Sequence, residues 1–508
     1  MVVPWRFVAE PGHGFAIGSR SPEAKRGAGL SWRRKVARAT TALALLGLSA
    51  SPAAVQVLRN PPSTPYHFLR YDDVQSDEDR HYWPNDFWSP LKFIPLDDGL
   101  PPGSYINFGG EDRERVEHFS TPLFGLTPRT TTTYDLHRLL FEGDLHVSDR
   151  FRTFIQFSNH QVTSASLSPG TDVDQIDLQQ GFADLKTPVG QDSSFTFRGG
   201  RQELEFGVGR LIDVREGPNI RLSWDGGRAF YQSPDLRVDA FVTKPVIPVP
   251  GFYPGFGYFG AHFDRGTSFW GLYGVTPIRA VPGLNDDFYY LGIDRENVTF
   301  NTSTANETRH TLGTRLWGEA GAWDYDTEAA FQFGEFGSRD IRAWTLASNT
   351  GYTLQNVWGK PRLGLQADTA SGGGNHGPLM SFDPLFPKFA YFTEAAITAP
   401  INFIDAYPSV TIQPRYNFAV MAGVNVLWRY STLDAFYSTF TGPIDPLVPG
   451  SANNKRFLGA QSNLHAEWQV TPHLNINAVY VHFWTAGFLA AAHGKNTDYI
   501  GVWTAYFF

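Results

Sequence analysis

From Tyr105 onward, apolar and polar residues alternate with a period of two, in segments of about ten residues. Ile106, Phe108 and Gly110 alternate with Asn107, Glu111, Arg113, Arg115 and Glu117. Leu139, Phe141, Leu145 and Val147 alternate with Arg138, Glu142, Asp144 and His146, and Phe151, Thr153, Ile155 and Phe157 with Arg152, Gln156, Ser158 and His160. Farther on, Arg309, Thr311, Arg315 and Glu319 share a face opposite Leu312, Thr314 and Leu316. Tyr325, Ala329, Phe331 and Phe333 oppose Asp324, Asp326, Glu328 and Gln332. Arg342 opposes Ile341 and Ala343, and Arg362 and Asp368 oppose Leu363, Leu365 and Ala367. Successive strand side chains point to opposite faces, so each segment has one apolar and one charged face. A soluble sandwich alternates too, but turns Thr, Ser and Lys to bulk water. Dense Arg and Glu point instead to the crowded wet interior of an all-β, antiparallel transmembrane barrel.

The pattern predicts roughly eighteen strands between Ser104 and Phe508, an even number as bacterial barrels require. Register is ambiguous around Gly199–Arg201, Arg221–Tyr231 and Gln413–Tyr416. Gly- and Pro-rich insertions at Pro245–Gly260, Thr276–Asp287, Ser371–Pro387 and Thr441–Asn454 read as loops, extracellular or folded into the lumen. The last segment places Ile500, Val502, Thr504, Tyr506 and Phe508 on one face. A final amphipathic strand ending in an aromatic residue resembles the signal read by the barrel assembly machinery of the outer membrane, which makes Phe508 the expected contact with it.

The N-terminal part divides differently. Ser31–Ala39 (SWRRKVARA) is basic and Thr40–Ala50 (TTALALLGLSA) apolar, with small residues for cleavage near Ala50 to Ala54. Residues 1–54 therefore read as a leader with a Sec signal peptide, too short to span a bilayer. Residues 55–103 read as a periplasmic arm and residues 104–508 as the barrel. Within the arm, Tyr66–Asp98 holds eight acids and three bases, with Trp83, Phe87, Trp88 and several prolines. A tethered segment is the expectation, with pore plugging or partner docking as the alternative.

Composition narrows the function classes. A soluble chain of 508 residues would usually split into domains, whereas one large barrel accommodates that length undivided. The absence of Cys removes disulfides, thiolate metal sites and a Cys nucleophile. No GxSxG, HExxH or P-loop pattern occurs, so neither an enzyme nor a cofactor or metal is expected. His146, His160 and His310 fall on strands. Asp286 and Asp287 read as loop acids able to bridge Ca²⁺ or lipopolysaccharide, though such a pair is common. The net charge is −8, and since residues 1–54 carry eight bases and two acids, the remainder carries about −14, which argues against nucleic acid. Of 42 basic residues nine are Lys.

The densest charge lies at Arg198–Tyr231, RGGRQELEFGVGRLIDVREGPNIRLSWDGGRAFY, with six arginines and five acids. Guanidiniums pair with carboxylates bidentately and stay charged, so the stretch either forms a structural ion-pair network or leaves surplus cations for a polyanion. Its order GRQEL, G-GRL, REG-N and DG resembles the core motif of the alginate export family of bacterial outer-membrane proteins. GGEDRERVE at Gly109–Glu117, DLQQGFADLK at Asp177–Lys186 and RHTLGTRLWGEAGAWDYDTEAAFQFGEFG at Arg309–Gly337 resemble further family segments. So do PRLGLQADTASGGGN at Pro361–Asn375 and RFLGAQSNL at Arg456–Leu464. The resemblance implies passive export of an anionic, alginate-like uronate polysaccharide, coupled to a periplasmic secretion scaffold. It implies a conduit lined by Arg113, Arg115, Arg138, Arg201, Arg210, Arg309, Arg315 and Arg362. Glu111, Glu203, Glu205, Asp225 and Glu319 are the expected structural ion-pair partners. A diffusion porin for small organic anions or sugars is the alternative, and a structural or adhesive barrel a third. The inward lists hold about as many acids as arginines, which suits a transverse field as well as an anion funnel.

Overall fold

The computed structural model describes residues 65–73, 85–96, 99–127, 132–163, 171–248, 261–439 and 444–508. The expected signal peptide lies outside them. Eighteen long strands follow one another: β1 (Tyr105–Phe119), β2 (Thr132–Val147), β3 (Phe151–Thr163), β4 (Asp174–Val189), β5 (Ser193–Gln202) and β6 (Trp224–Gln232). Next come β7 (Arg237–Ile247), β8 (Thr267–Pro277), β9 (Leu284–Phe300), β10 (Ser303–Ala320), β11 (Trp323–Phe336) and β12 (Arg339–Thr353). The last six are β13 (Arg362–Ala370), β14 (Phe403–Arg415), β15 (Phe418–Arg429), β16 (Phe457–Gln469), β17 (Leu474–Thr485) and β18 (Thr497–Phe507). Each pairs antiparallel with the next, and β18 pairs with β1 from Glu111↔Phe507 to Phe119↔Tyr499, which closes the barrel.

The alternation sorts the two faces as the strand period demands. Leu312, Phe331, Leu363 and Val502 lie exposed on the outside, about half accessible, while Arg113, Arg138 and Gln332 are at most 1% exposed inside. An apolar outer surface of this extent belongs in lipid, where closure leaves no unpaired strand edge. Trp323, Tyr352, Trp358, Tyr416 and Trp468 all sit outside near the end that carries the chain termini, as an interfacial aromatic belt does. Connections at that end span two to eight residues. At the other end, apart from the two-residue turns 301–302 and 337–338, they span ten or more. Short turns face the periplasm and long loops the exterior in barrels of this kind, which fixes the orientation.

Some sequence expectations change. Pro245–Ile247 belongs to β7, and half of Thr276–Asp287 is the ends of β8 and β9, around a turn of six residues. Asp286 and Asp287 are therefore strand residues, and Asp287 faces the lumen, bonded by Tyr273 and Arg315. Around Arg342 the faces invert: Ile341 and Ala343 are buried inward, and Arg342 lies outside with Asp340. The reason is that loop 371–402 packs there, with Leu379 bonded to the free edge of β12 and Ile341 and Ala343 joining the apolar cluster of Leu379, Phe382 and Phe386.

The lumen is not empty. β5, β6 and β13 are the shortest strands, at ten, nine and nine residues, and from their outer ends the chain turns inward. Loops 203–223 and 371–402 meet inside and form a small parallel ladder, with Asp213 N–H donating to the Phe386 carbonyl (2.9 Å) and Phe386 N–H to Leu211 (2.9 Å). Around it Phe206, Trp224, Phe269 and Phe386 build an apolar core inside the barrel. Residues 65–73 of the arm also pack within the barrel mouth rather than hanging clear of it, with Arg70 and Tyr71 buried. Residues 85–96 lie on the rim, where Trp88 donates to the Tyr506 hydroxyl (2.9 Å) and Asp86 meets His473 (2.6 Å).

Candidate functional site

The paired arginines come from two sources, wall strands and inward loops, and several of the pairs join one source to the other. On the wall, Arg113 and Arg138 stand directly opposite on β1 and β2. Like charges so placed repel, and carboxylates fill the space between. Arg138 binds Glu111 (2.6 Å), and both arginines bind Glu216 of loop 203–223, Arg113 at 3.0 Å. Arg221 of the same loop reaches Glu216 (3.1 Å) and Glu203 (2.8 Å). Three guanidiniums and three carboxylates thus form one closed group. Burial alone would raise the Glu216 carboxyl, but Arg138, Arg221 and Arg113 together hold it down at about 2. Asn219 completes the clamp, donating to the backbone carbonyls of His137 and Gln161 on β2 and β3.

Loop 371–402 is held in the same way. Arg309 on β10 binds Glu307 (3.0 Å), the Gln332 amide oxygen (2.8 Å) and the Ser381 carbonyl (3.2 Å). Asp383 of the loop pairs with Arg295, and Arg115 on β1 binds Glu117 (2.5 Å) and Glu394 of the loop (3.3 Å). Arg210 inverts the direction: it reaches from loop 203–223 to Asp326 (2.7 Å) and Glu328 (2.9 Å) on β11. Arg315 shares Asp326 (2.6 Å) and adds Asp287 (2.8 Å). Arg201 and Asp225 form a cross-strand fork between β5 and β6 (2.8 and 3.0 Å), and Arg362 meets Asp324 (2.5 Å). Seven of the eight arginines drawn from the sequence lie on the lumenal side; Arg201, expected there too, takes an outward position of β5 with Phe195 and Phe197, because Arg198 and Gln202 occupy the inward ones. All eight are paired.

Of the expected acidic partners, Glu111, Glu203 and Asp225 sit in these pairs. Glu205 is half-buried beside Asp213 and leaves Oε1 without a partner. Glu319 lies exposed at the periplasmic end of β10. His160 is buried inside, His146 lies near Asp144, and His310 packs on the outer face against Tyr290 and Phe333.

One guanidinium escapes the pattern. Arg215, at the tip of loop 203–223, holds a left-handed backbone (φ 59°), an unusual conformation for a side chain of that size. Among the described residues it is the one half-buried arginine whose guanidinium makes neither a hydrogen bond nor an ion pair, and its Nε is enclosed. It lies over the Phe389 ring at 4.8 Å. Burial lowers its pKa to about 10, so it remains cationic. Its neighbour Asp213 is raised by burial to about 7 and Glu205 is raised by burial and by Asp213, which weakens their compensation. A cavity beside Arg215 is also lined by Arg201, Arg221, Asp177 and Pro218. Sequence reading placed Arg215 in the dense stretch but did not single it out. The signal available was the loss of alternation after Gln202, which marks the following charges as loop-borne.

Comparison with known proteins gives three results. No curated protein sequence matches the chain. Solved structures with the same fold include OccD3 (OpdP) of Pseudomonas aeruginosa, at 13% identity and TM-score 0.52, covering 88% of this chain and 99% of that one. A BenF-like porin from Pseudomonas fluorescens Pf-5 shares 9% identity and a TM-score of 0.52, covering 81% and 99%. OpdO of Pseudomonas aeruginosa shares 10% and 0.51, covering 79% and 97%. At such identities the likeness establishes the fold, an outer-membrane porin barrel. The pattern of the alginate export family matches residues 104–503, nearly the whole barrel, and the chain belongs to that family, as an outer-membrane channel protein.

Proposed function

We propose that this channel passes carboxylate-bearing saccharides, exporting a uronate polymer past Arg215, without enzymatic chemistry. The observation that carries the reading is the unpaired guanidinium of Arg215 over the Phe389 ring, beside a lumenal cavity. An aromatic face offers a platform for a sugar ring, and a guanidinium in a partly dry site binds a carboxylate more strongly than in bulk water. The family name points the same way. A second reading, a diffusion porin for small organic anions, is favoured by the pairing of all eight other arginines, which leaves little net positive charge and resembles a transverse field. A periplasmic secretion scaffold and the barrel assembly machinery are the partners that export and Phe508 call for.

Planar bilayer recordings separate the readings. Arg215→Glu is expected to lower the anion-to-cation permeability ratio and abolish block by oligouronates, while leaving the melting temperature nearly unchanged because no partner is lost. Arg215→Lys should keep selectivity better than oligouronate affinity, since it retains charge without planar geometry. Absence of oligouronate block in the wild type, with weak selectivity throughout, would favour the small-solute porin.

A further inference from the structure

The arm segment at residues 65–73 has a feature that neither the wall nor the loops share. It is deeply buried, yet it belongs to no strand ladder. The barrel closes through β18 and β1 without it, and its backbone-to-backbone bonds among the described residues are internal, from Asp72 N–H to the Leu69 carbonyl and from Asp73 N–H to the Arg70 carbonyl. Side chains hold it instead. Arg70 pairs with Glu142 on β2 (3.0 Å) and with its own Asp73 (3.2 Å), and lies over the rings of Tyr66 (4.9 Å) and Phe507 (5.4 Å). Tyr71 packs edge-on against both Phe154 and Phe182, which stack on each other, and lies under the Arg198 guanidinium (4.4 Å).

The same segment touches the central loop. The Tyr71 hydroxyl donates to the Glu203 carbonyl (3.0 Å), and Arg221 donates to the Phe68 carbonyl (2.8 Å). Glu203 and Arg221 are two members of the six-residue charge group that clamps loop 203–223 to the wall. A peptide in the periplasmic mouth is thus bonded to the loop that approaches from the outer side, and each stabilises the placement of the other. It can leave without disturbing the backbone hydrogen bonds of the strand ladder, since its bonds to the wall are made through side chains, such as Arg70 to Glu142 and to the Gly110 carbonyl and Arg152 to the Tyr71 carbonyl.

We propose that residues 65–73 are an intrinsic plug, latched by Arg70 on Glu142 and by Tyr71 under Arg198, whose withdrawal into the periplasm opens the channel. The proposal needs only that the protein is a channel, whatever its substrate. The occluding segment and the wall are joined by one ion pair, an aromatic socket and a few side-chain-to-backbone bonds, an arrangement that a partner or a translocating polymer can displace. Withdrawal also removes two bonds from loop 203–223, which couples the periplasmic mouth to the site at Arg215.

The test uses the full chain in planar bilayers, with the shift between unboiled and boiled gel bands confirming the folded barrel. The double variant Arg70→Glu, Tyr71→Ala places a carboxylate against Glu142 and Asp73 and empties the aromatic socket. It is expected to raise the conducting fraction roughly tenfold over wild type, a modest population shift. Arg70→Glu combined with Glu142→Arg restores the latch and should return conductance toward wild type. A folded double variant with wild-type conductance overturns the proposal, and so does failure to form a barrel, because the segment would then be part of the core. Oligouronate block, read in the same bilayers, keeps the two ideas apart. Opening without block removes the substrate reading alone, and block with no opening in the variant removes the plug alone.

Discussion

Glu216 is the residue on which the inner network turns, since Arg113, Arg138 and Arg221 all converge on it. Replacing it by Gln leaves three guanidiniums facing one another in a poorly hydrated space. Removing one partner from a buried pair costs about 3 kcal/mol or more, and the part-exposed position argues for the lower figure. The expected outcome is a lower melting temperature for Glu216→Gln at neutral pH. The sign with pH follows from the depressed carboxyl. Its folded pKa of about 2 lies below the ordinary glutamate value of 4.5, so its stabilisation is full above that value and is lost as pH falls toward 2. Melting curves of wild type and variant should therefore converge on acidification. A gap that persists at pH near 2 would mean that the variant acts through packing. Arg201 and Asp225 offer a cleaner pair, because their fork joins neighbouring strands. Arg201→Glu should lower the melting temperature, and the added Asp225→Arg should recover most of the loss.

At the scale of elements, the closing seam and the inward loops deserve separate tests. Phe508 extends β18 beyond its last ladder residue, exchanging hydrogen bonds with Gly110 (2.7 and 3.0 Å), and its ring meets Trp88 of the arm at 4.6 Å. Deleting Phe508 should reduce surface assembly in cells while leaving folding in detergent largely intact; equal surface levels would refute an assembly role. Gly110 could not be another residue, because a Cβ there would lie 2.3 Å from the Leu140 carbonyl and 2.5 Å from the Phe508 ring. The seam is thus built around a missing side chain. For the loops, the short strands β5, β6 and β13 are the structural cause of inward folding, since a chain leaving the wall early can turn into the lumen. Ordinary alternation survives in most wall strands, but where a loop covers the wall, as at Ile341 and Ala343, the inner positions turn apolar.

For the whole molecule, the outer surface answers to lipid and the inner one to charge pairing, so the two respond differently to salt. The lumenal networks are buried, and screening reaches them poorly. Raising salt from about 0.1 M to about 1 M should leave the detergent melting temperature nearly constant while reducing ion selectivity in bilayers. A large drop in melting temperature would show that the networks are hydrated. Circular dichroism in detergent should be strand-dominated, since the described helix is confined to Gly487–Ala491 and short 3₁₀ turns.

The strands were legible because a two-faced strand between lipid and a wet interior must alternate, and a period of two survives in Leu139–Val147 or Arg309–Leu316 whatever the neighbours are. The same alternation put the arginines of β1, β2, β10 and β13 on the lumenal side, and the ordered motifs placed the chain in its family; at Arg201 of β5, where the register was ambiguous, the side chain falls on the outer face. None of this could say which acid meets which arginine. Glu216 on Arg113 and Arg138, or Asp326 on Arg210, are contacts across roughly a hundred residues of chain, made by loops whose path no local pattern encodes. The inversion at Arg342 has the same origin: a strand's period gives two faces, but a loop lying over one of them decides which is lumen and which is core. Arg215 went unremarked because all six guanidiniums of its stretch look alike in sequence. Only the folded lumen pairs five of them with carboxylates and leaves the sixth over an aromatic ring, since burial and partner geometry, not residue type, determine which charge remains available.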